Sequence, residues 1–375
     1  MGFDMVQWIW MHAQWPNFIW QAEQLLPHLS AARLAQGKLL AIVHKISQDD
    51  FNELGAYILG EQAIDTSAIE GEYLNRDSVR SSIANRLGLE QAGIAGKPDR
   101  YVDGLLDMLL DATKNHQQPL TKDRLLGWHA ALFPTGYSGM HKINVGQLRN
   151  PGLMQIVSGR EGNPKVHYEA PPAERLADGL QAFLQWFNNE ESIDGLLRAG
   201  LAHLWFELLH PFDDGNGRIG RAIIDLALSQ EEGLDLRYYS LSSAIMGDRK
   251  NYYAVLGSTC RQGMDVTEWL IWFLQCLETA IQQSIAKIED INLKARFWQQ
   301  HVETELTQRQ KKALNELLDA GQSGYVGQMT IRKYMHLTRT SRSTAGRELK
   351  DLVEKGCLKP TAEKGRSAAY EINWG

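Results

Sequence analysis

Twelve residues decide the fold of this chain, and from His210 to Arg221 they read HPFDDGNGRIGR. The run before them, LLRAGLAHLWFELL over 196–209, is too apolar for a surface helix and predicts a buried one. Pro211 ends that helix, and a second helix with an apolar face begins near Arg218. The twelve residues are therefore predicted to form a loop between two helices.

The glycines and arginines of this loop suit the binding of an anion. Gly215 and Gly217 adopt backbone angles that other residues resist, so that successive N–H groups can converge on one point. The loop leads into a helix N-terminus, which carries roughly half a positive charge. Arg218 and Arg221 lie on adjacent turns of that helix and lean back toward its start. The pattern predicts a polyphosphate site.

Two further residues add chemistry to the predicted site. Asp214 is suited to holding a divalent cation against phosphates, and His210 is placed to take a proton from an incoming hydroxyl. Each feature alone has an ordinary structural explanation: a glycine turn, a surface arginine pair, a His-Pro helix stop. Their combination in this order indicates phosphoryl or nucleotidyl transfer.

The string matches the motif HPFx(D/E)GNGRxxR, and the chain resembles a Fic-domain protein adenylyltransferase over roughly residues 60–290. The resemblance implies transfer of AMP from ATP to a Ser, Thr or Tyr hydroxyl of a target protein, with release of pyrophosphate and with Mg²⁺ present. It implies His210 as general base and Asp214 as Mg²⁺ ligand. The nucleotide-binding residues that it implies within the motif are Gly215, Asn216, Gly217, Arg218, Gly220 and Arg221, the last for the γ-phosphate.

Outside the motif, two β-prone pieces at 154–157 and 165–168 flank the segment 158–163, which predicts a hairpin. In Fic proteins a flap at this place aligns a target segment by strand pairing. Three residues of the hairpin are therefore candidates for contact with nucleotide or target: Val166, His167 and Tyr168. A purely structural hairpin is the alternative. Tyr252 and Tyr253 resemble a nucleoside-contacting pair, although composition alone would place them in a core.

An upstream segment, TSAIEG at 66–71, matches the inhibitory motif (S/T)xxxE(G/N) of Fic proteins. The resemblance implies that Glu70 reaches Arg221 before the γ-phosphate does, because a bidentate carboxylate pair is hard to displace. The same carboxylate could instead orient a water that hydrolyses the AMP–protein bond. The sequence therefore predicts inhibition in cis by Glu70 and leaves the balance of forward and reverse activity open.

The last seventy residues differ in charge from the rest of the chain. Residues 305–375 hold 13 Lys and Arg against 8 Asp and Glu, whereas the whole chain has a net charge of -6. Three helical patterns followed by two β-like pieces predict a winged helix-turn-helix. Its basic residues are Arg339, Arg342, Arg347 and Lys350, with Lys364 and Arg366 at the tip of the wing. DNA and a docked protein or second copy remain alternative partners.

Composition sets the wider frame. With 375 residues, 43% hydrophobic and 22% charged, the chain is expected to be a mainly α, globular protein of two or three domains. The expected domains are a Trp-rich extension at 1–60, a catalytic domain at 61–290 and the C-terminal module at 305–375. Three scattered cysteines, no membrane-spanning run and no signal peptide lead us to expect a cytoplasmic protein without a membrane contact.

The sequence thus predicts an ATP- and Mg²⁺-dependent protein adenylyltransferase inhibited in cis. The alternatives are a de-AMPylase of the same fold, transfer of another phosphate-linked group, and a transcriptional regulator whose Fic-like domain only senses nucleotide. The intact His210 and both arginines favour catalysis, because a sensor needs no base. The target protein and the oligomeric state, with a homodimer as one option, cannot be read from the sequence.

Overall fold

The computed structural model describes residues 7–45, 48–88, 99–160, 163–319, 328–361 and 369–374, and over these ranges the protein is mainly helical. The α-helices are α1 Ala22–Val43, α2 Gln48–Ile69, α3 Arg76–Leu87, α4 Arg100–Lys114, α5 Lys122–Leu132, α6 Leu176–Asn189, α7 Gly195–Leu209, α8 Asn216–Glu232, α9 Leu241–Gly247, α10 Arg249–Thr259, α11 Thr267–Gln300, α12 Gln308–Asp319, α13 Ile331–Thr338 and α14 Arg342–Glu354. The chain divides into two compact units, Met1–Ser284 and Ile285–Gly375. Among the described residues, no helix combines the length and apolarity that a membrane span requires.

Helices α7 and α8 form the centre of the first unit. Almost every residue of α7 is buried, as its apolar sequence predicts, and the Asp194 side chain caps it by accepting the N–H of Leu196 at 2.9 Å. Helix α8 begins at Asn216, one half-turn before the predicted Arg218, because Gly215 turns the chain with a φ of +82°. A Cβ at Gly215 would lie 2.8 Å from the Phe133 ring, so this position requires glycine.

Helix α2 packs along α8 and is bonded to it at more than one level. The Gln62 amide donates to Asp225 of α8 at 2.8 Å, and its oxygen accepts the hydroxyl of Ser240 at 2.6 Å. The helix ends at Ile69, where Gly71 takes the left-handed conformation with a φ of +85°. The predicted domain boundary at residue 60 falls inside this continuous helix, and the division into domains stays a prediction.

A hairpin projects from this unit. It consists of β3 (Gln155–Arg160) and β4 (Asn163–Glu169), which pair antiparallel with a register shift between Ile156 and Val157. The predicted hairpin is confirmed, but its strands continue into most of the segment 158–163 that was expected to be the turn, because Ser158, Gly159 and Arg160 still pair across the ladder. A smaller hairpin, β1 (Tyr137–Ser138) with β2 (His141–Lys142), was not predicted, because two-residue strands leave no alternation to detect.

The Trp-rich start packs against the hairpin, as a packing platform would. Trp8 and Trp10 are buried, and Trp8 meets the Tyr168 ring edge-on at 5.6 Å. The Trp10 indole N–H donates to the backbone carbonyl of Glu169 at 2.7 Å. Trp15 contacts Trp205 of α7 at 6.3 Å between ring centroids. The platform therefore ties β4 to the helical core.

The second unit has its own apolar core, with Phe297, Leu314, Tyr334 and Leu349 among its buried side chains. Its three-stranded sheet has the order β5-β7-β6, with β5 at Met329–Thr330, β6 at Leu358–Pro360 and β7 at Ala369–Ile372. Thr307 is a plausible N-cap by residue type, and it does cap α12: its Oγ1 accepts the N–H of Gln310 at 3.2 Å, and the Gln310 side-chain oxygen accepts the N–H of Thr307 at 2.9 Å.

One detail of this unit differs from prediction. The sequence pattern predicts a helix at Met329–Met335, but α13 begins only at Ile331, because Met329 and Thr330 pair with β7 and so add a third strand. The sequence also predicts a turn at 363–366, with Lys364 and Arg366, and this turn lies outside the described residues. The assignment as a winged helix-turn-helix stays a prediction.

Candidate functional site

A cavity of about 540 Å³ lies over the loop between α7 and α8. Its wall includes His210, Asp214 and Gly217 from the predicted motif, together with Glu70. Helix α10 forms another part of the wall with one face, from Arg249 to Gly257, on which the lining residues are three or four positions apart. His167, at the base of the hairpin, also lines the cavity. Residues separated by up to 190 positions in sequence thus meet around one space.

His210 lies at the C-terminal cap of α7, in the left-handed conformation with a φ of +47°. Arg149 fixes this turn, because its Nε donates to the His210 carbonyl at 2.9 Å and its backbone N–H donates to the Pro211 carbonyl at 2.9 Å. Burial lowers the pKa of the His210 imidazole to about 4. The ring is therefore neutral near pH 7 and able to accept a proton.

The predicted phosphate cradle divides into residues that face the cavity and residues that build the loop. Asn216 closes the loop with its side chain, accepting the N–H of Phe212 at 3.0 Å and donating to its carbonyl at 2.9 Å. Gly217 lies in the first turn of α8 on the cavity wall. Gly220 does not line the cavity. A Cβ there would lie 2.7 Å from Glu207 Oε1, so its place is against α7.

Asp214 lines the cavity beside Gly215, whose N–H donates to Asp214 Oδ1 at 2.5 Å. Ser138 donates its hydroxyl to the other oxygen, and the carboxylate keeps 39% of its side-chain surface exposed. Among the described residues, no group of three His, Cys, Asp or Glu side chains could hold a metal. One exposed carboxylate nevertheless fits Mg²⁺, because this ion keeps several waters and takes other oxygens from phosphates.

Arg221 is 1% exposed and is held by the end of α2. Its Nη2 lies 2.7 Å from Glu70 Oε1, while Nε donates to the Thr66 hydroxyl at 2.7 Å. Burial lowers the pKa of Arg221, but the charge and hydrogen bond of Glu70, together with Tyr252 and Glu207, keep this pKa above its ordinary value. Nη1 is buried without a hydrogen-bond partner among the described residues. One donor of Arg221 therefore remains for an anion.

Glu70 also occupies space over the first turn of α8. A Cβ at Gly217 would lie 2.1 Å from Glu70 Oε1 and 3.1 Å from Arg221 Nη1. The carboxylate thus lies directly against the helix N-terminus, where the helix charge and the free N–H groups favour an anion. Glu70 therefore fills the space directly over Gly217.

Arg218 is placed differently from its prediction. It is 3% exposed, it is not part of the cavity wall, and its guanidinium lies 5.0 Å from the centroid of the Phe133 ring. Its Nη1 lies 2.6 Å from Glu72 Oε2, and its Nη2 lies 3.8 Å from Asp214 Oδ1. An acid that the sequence reasoning missed therefore holds the first arginine of the motif.

The two tyrosines of α10 have different surroundings. Tyr252 is buried, and its hydroxyl lies 3.0 Å from His203 Nε2. Tyr253 is 43% exposed and donates its hydroxyl to the Ile69 carbonyl at 3.2 Å. Both line the cavity. Tyr252 agrees with the interpretation as a core residue, and the exposure of Tyr253 is compatible with contact with a nucleoside.

The three hairpin candidates also separate. His167 is half-buried and lines the cavity, whereas Val166 does not. Tyr168 reaches the cavity wall but is 3% exposed and donates its hydroxyl to the Leu208 carbonyl at 2.6 Å. Burial raises its pKa well above the ordinary value. Tyr168 therefore anchors the hairpin to α7, because a phenol so enclosed packs as core.

Comparison with known proteins identifies the motif-bearing region. The sequence model of the Fic/DOC family matches residues 119–228, which include the whole loop and most of α8. Over these residues the chain is similar to the Fic/DOC family. A second family model, described as a domain of unknown function (DUF4172), matches residues 8–89 and so includes Glu70.

Relatives of the Fic domain carry several names. A protein of Aquifex aeolicus named "Probable protein adenylyltransferase" is 36% identical over 67 residues, which are 18% of this chain and 21% of that protein. A uridine 5'-monophosphate transferase of Xanthomonas campestris is 35% identical over 124 residues, 31% of this chain and 22% of that protein. A protein adenylyltransferase of Caenorhabditis elegans is 26% identical over 207 residues, 51% and 37% of the two chains. The matches span between about a fifth and somewhat over a third of these relatives.

Solved structures share the fold. A Fic family protein from Desulfovibrio desulfuricans G20 aligns with a TM-score of 0.55 at 19% identity, covering 95% of this chain and 97% of that one. A Fic domain containing signaling protein from Bacteroides thetaiotaomicron aligns with a TM-score of 0.51 at 15% identity, covering 68% and 96%. At these identities the likeness shows the Fic fold alone.

Sequence reasoning missed three residues around the Fic domain's cavity: Glu72, Arg149 and Glu207. Arg149 lies in a Pro- and Gly-rich segment without periodicity, and nothing in the sequence marks its contact with the His210 turn. Glu207 lines the cavity, and burial raises its pKa to about 8. It had a signal, since it is the only acid in the apolar run 196–209.

Proposed function

We propose that the protein is an adenylyltransferase that transfers AMP from ATP to a Ser, Thr or Tyr hydroxyl of a target protein, and that Glu70 inhibits it in cis. The observation that carries the proposal is the Glu70–Arg221 pair at 2.7 Å, which lies over the first turn of α8 in a cavity that His210 also lines. The names of two relatives, both protein adenylyltransferases, support the same activity.

The proposed reaction divides the work among the cavity residues. The acceptor oxygen forms a bond to the α-phosphorus, His210 takes its proton, and the bond to the β-phosphate oxygen breaks to release pyrophosphate. This step needs a neutral imidazole, which is already the main form of an ordinary histidine at pH 7. Burial lowers the pKa of His210 to about 4 and keeps the ring in that form. The first turn of α8 and the free Nη1 of Arg221 would bind the phosphates.

Asp214 is the residue proposed to hold Mg²⁺. Bound there, the ion would offset negative charge on the phosphate oxygens. Asp213 also lines the cavity, and one of its oxygens accepts both the backbone and the side-chain N–H of Asn144, at 3.0 and 2.8 Å. Both acids accept hydrogen bonds, so the choice of Asp214 rests on its place in the motif.

Inhibition follows from competition for one cation. With Glu70 in place, Arg221 has two of its nitrogens engaged by α2, and the space over Gly217 is filled. ATP could enter the cavity only with its terminal phosphate displaced, and the α-phosphorus would then lie away from the attacking hydroxyl. Departure of Glu70 frees both the donor and the space.

The test is incubation of the wild-type protein and the Glu70→Gly variant with ATP labelled at either the α- or the γ-phosphate. Label from the α position on protein, increased in the variant, supports the proposal. Label from the γ position would show a kinase instead. Transfer of α-label from UTP in preference to ATP would favour the second candidate, a uridylyl transfer, which the Xanthomonas relative's name suggests.

A further inference from the structure

Both arginines of the Fic motif are held by acids, and the second acid is Glu72. Glu72 Oε2 lies 2.6 Å from Arg218 Nη1, while Glu70 holds Arg221. Glu72 keeps 44% of its side chain exposed, whereas Arg218 keeps only 4%. Burial raises the pKa of Glu72, and Arg218 counteracts this. A carboxylate at the protein surface therefore pairs with a buried guanidinium.

The turn after α2 explains how the two acids reach two arginines. Glu70 and Glu72 both bond back to the last turn of the helix, since each donates its N–H to the Ser67 carbonyl, at 3.0 and 2.9 Å. Gly71 between them has a φ of +85°, which closes the turn. Arg218 and Arg221 are three residues apart and so lie on neighbouring turns of α8. One tight turn therefore faces both cations.

Glu72 decides where the guanidinium of Arg218 points. The Arg218 guanidinium lies between Glu72 and the Phe133 ring and is not part of the cavity wall. Its Nη2 is nevertheless only 3.8 Å from Oδ1 of Asp214, which does line the cavity. The Arg218 side chain therefore lies close to the cavity without reaching its wall. We propose that Glu72 is a positioning residue that withholds Arg218 from nucleotide phosphates, separately from the contact of Glu70 with Arg221.

This inference rests on the proposed function, because it assumes that the cavity binds ATP. A half-exposed ion pair contributes about 0.2–1 kcal/mol, so its loss should change affinity by about 1.5- to fivefold. The effect should appear in binding and not in turnover, since Glu72 does not line the cavity. In a Glu70→Gly background, Glu72→Gln is expected to lower KM for ATP and to leave kcat unchanged.

The experiment titrates wild-type protein and the Glu72→Gln variant with ATP and with adenosine by calorimetry. The expected result is tighter binding of ATP by about 1.5- to fivefold and unchanged binding of adenosine, which has no phosphate. Glu61→Gln is the matched control. Glu61 lies on the same helix, α2, and its carboxylate is 2.7 Å from the guanidinium of Arg76. Neither residue lines the cavity. This variant is expected to change neither affinity.

A double-mutant cycle tests the route through Arg218. In an Arg218→Gln background, Glu72→Gln should no longer affect ATP affinity. One outcome would overturn the inference and leave the proposed function standing. In it, Glu72→Gln binds ATP no more tightly than the wild type and has the same melting temperature, while Glu70→Gly still transfers α-label. If no variant binds ATP or transfers label, the proposed function fails, and the inference fails with it.

Discussion

Removal of the Glu70 carboxylate is the sharpest perturbation that the structure offers. Glu70 contributes one charge-assisted hydrogen bond of 2.7 Å to an arginine that is 1% exposed, and 29% of its own side chain is exposed. A hydrogen bond to a charged group contributes about 1.5–3 kcal/mol. We call the state with the Glu70–Arg221 bond closed and the state without it open, and we assume that ATP binds productively only to the open state. If breaking the bond costs about 2–3 kcal/mol, the open state is roughly 30- to 160-fold less populated than the closed state.

Glu70→Gly is therefore expected to raise the initial rate of autoadenylylation by roughly 30- to 160-fold, the inverse of that population ratio. The assay is transfer of α-label from ATP to the protein at fixed Mg²⁺, measured as an initial rate. Glu70→Gln should raise the rate less, because the amide keeps the size and a hydrogen bond while losing the charge. Glu61→Gln, which removes an acid from the same helix, serves as the control and should leave the rate unchanged.

The reasoning makes Glu70 act through Arg221 and not through the stability of α2. An increase in rate no larger for Glu70→Gly than for Glu61→Gln would refute it. A loss of folding free energy well above the about 1.5–3 kcal/mol of this hydrogen bond would also count against it, because loosening of the whole helix would then account for the rate. Thr66 should still hold Arg221 in the variant, through the bonds to Nε and Nη2.

Three further predictions follow from the same geometry. In a Glu70→Gly background, His210→Ala should lower the rate at least about 100-fold with ATP affinity unchanged in calorimetry, whereas a loss of affinity would assign His210 to binding. Gly215→Ala adds a clash with Phe133 to left-handed strain and should lower the urea-derived free energy of unfolding more than the roughly 1–2 kcal/mol expected of Gly88→Ala, which has a φ of +67° and open space; equal losses would show that the clash is relieved. Burial lowers the pKa of His203 to about 3, so between pH 6.5 and 3 the unfolded chain binds a proton at this residue and the folded chain does not. The free energy of unfolding should therefore fall as pH drops over that range. His203→Gln should make the urea-derived free energy of unfolding depend less on pH there, and an unchanged dependence would contradict the low pKa of His203.

The helices of the first unit were predictable because their apolar spacing is strong. The sequences at 102–113 and 122–132 have the pattern of amphipathic helices and correspond to α4 and α5, and the apolar run at 196–209 corresponds to α7. α9 and α10 were missed, since the stretch around Tyr252 and Tyr253 alternates small, polar and aromatic residues without a dominant face. The position of α2 against α8 could not be read from the sequence, because it depends on contacts such as Gln62 with Asp225.

The site was predictable where a motif fixes residue types and unpredictable where burial decides. Motif spacing anticipated the meeting of His210, Gly217 and Glu70, which now share a cavity. It could not show that Gly220 faces α7 or that Tyr168 is enclosed, since both depend on distant residues that fill the neighbouring space. The roles of the site residues stay predictions.

The bonds along α2 determine what an activator has to do. Gln62 ties the middle of the helix to Asp225 and Ser240, and Thr66 ties the next turn to Arg221. Rigid-body departure of the helix would break all of these at once, whereas a local unwinding after Ser67 would free both acids and leave the anchors intact. If the proposed inhibition by Glu70 holds, a partner that binds only the exposed turn at 70–72 is expected to release both acids without moving the rest of α2.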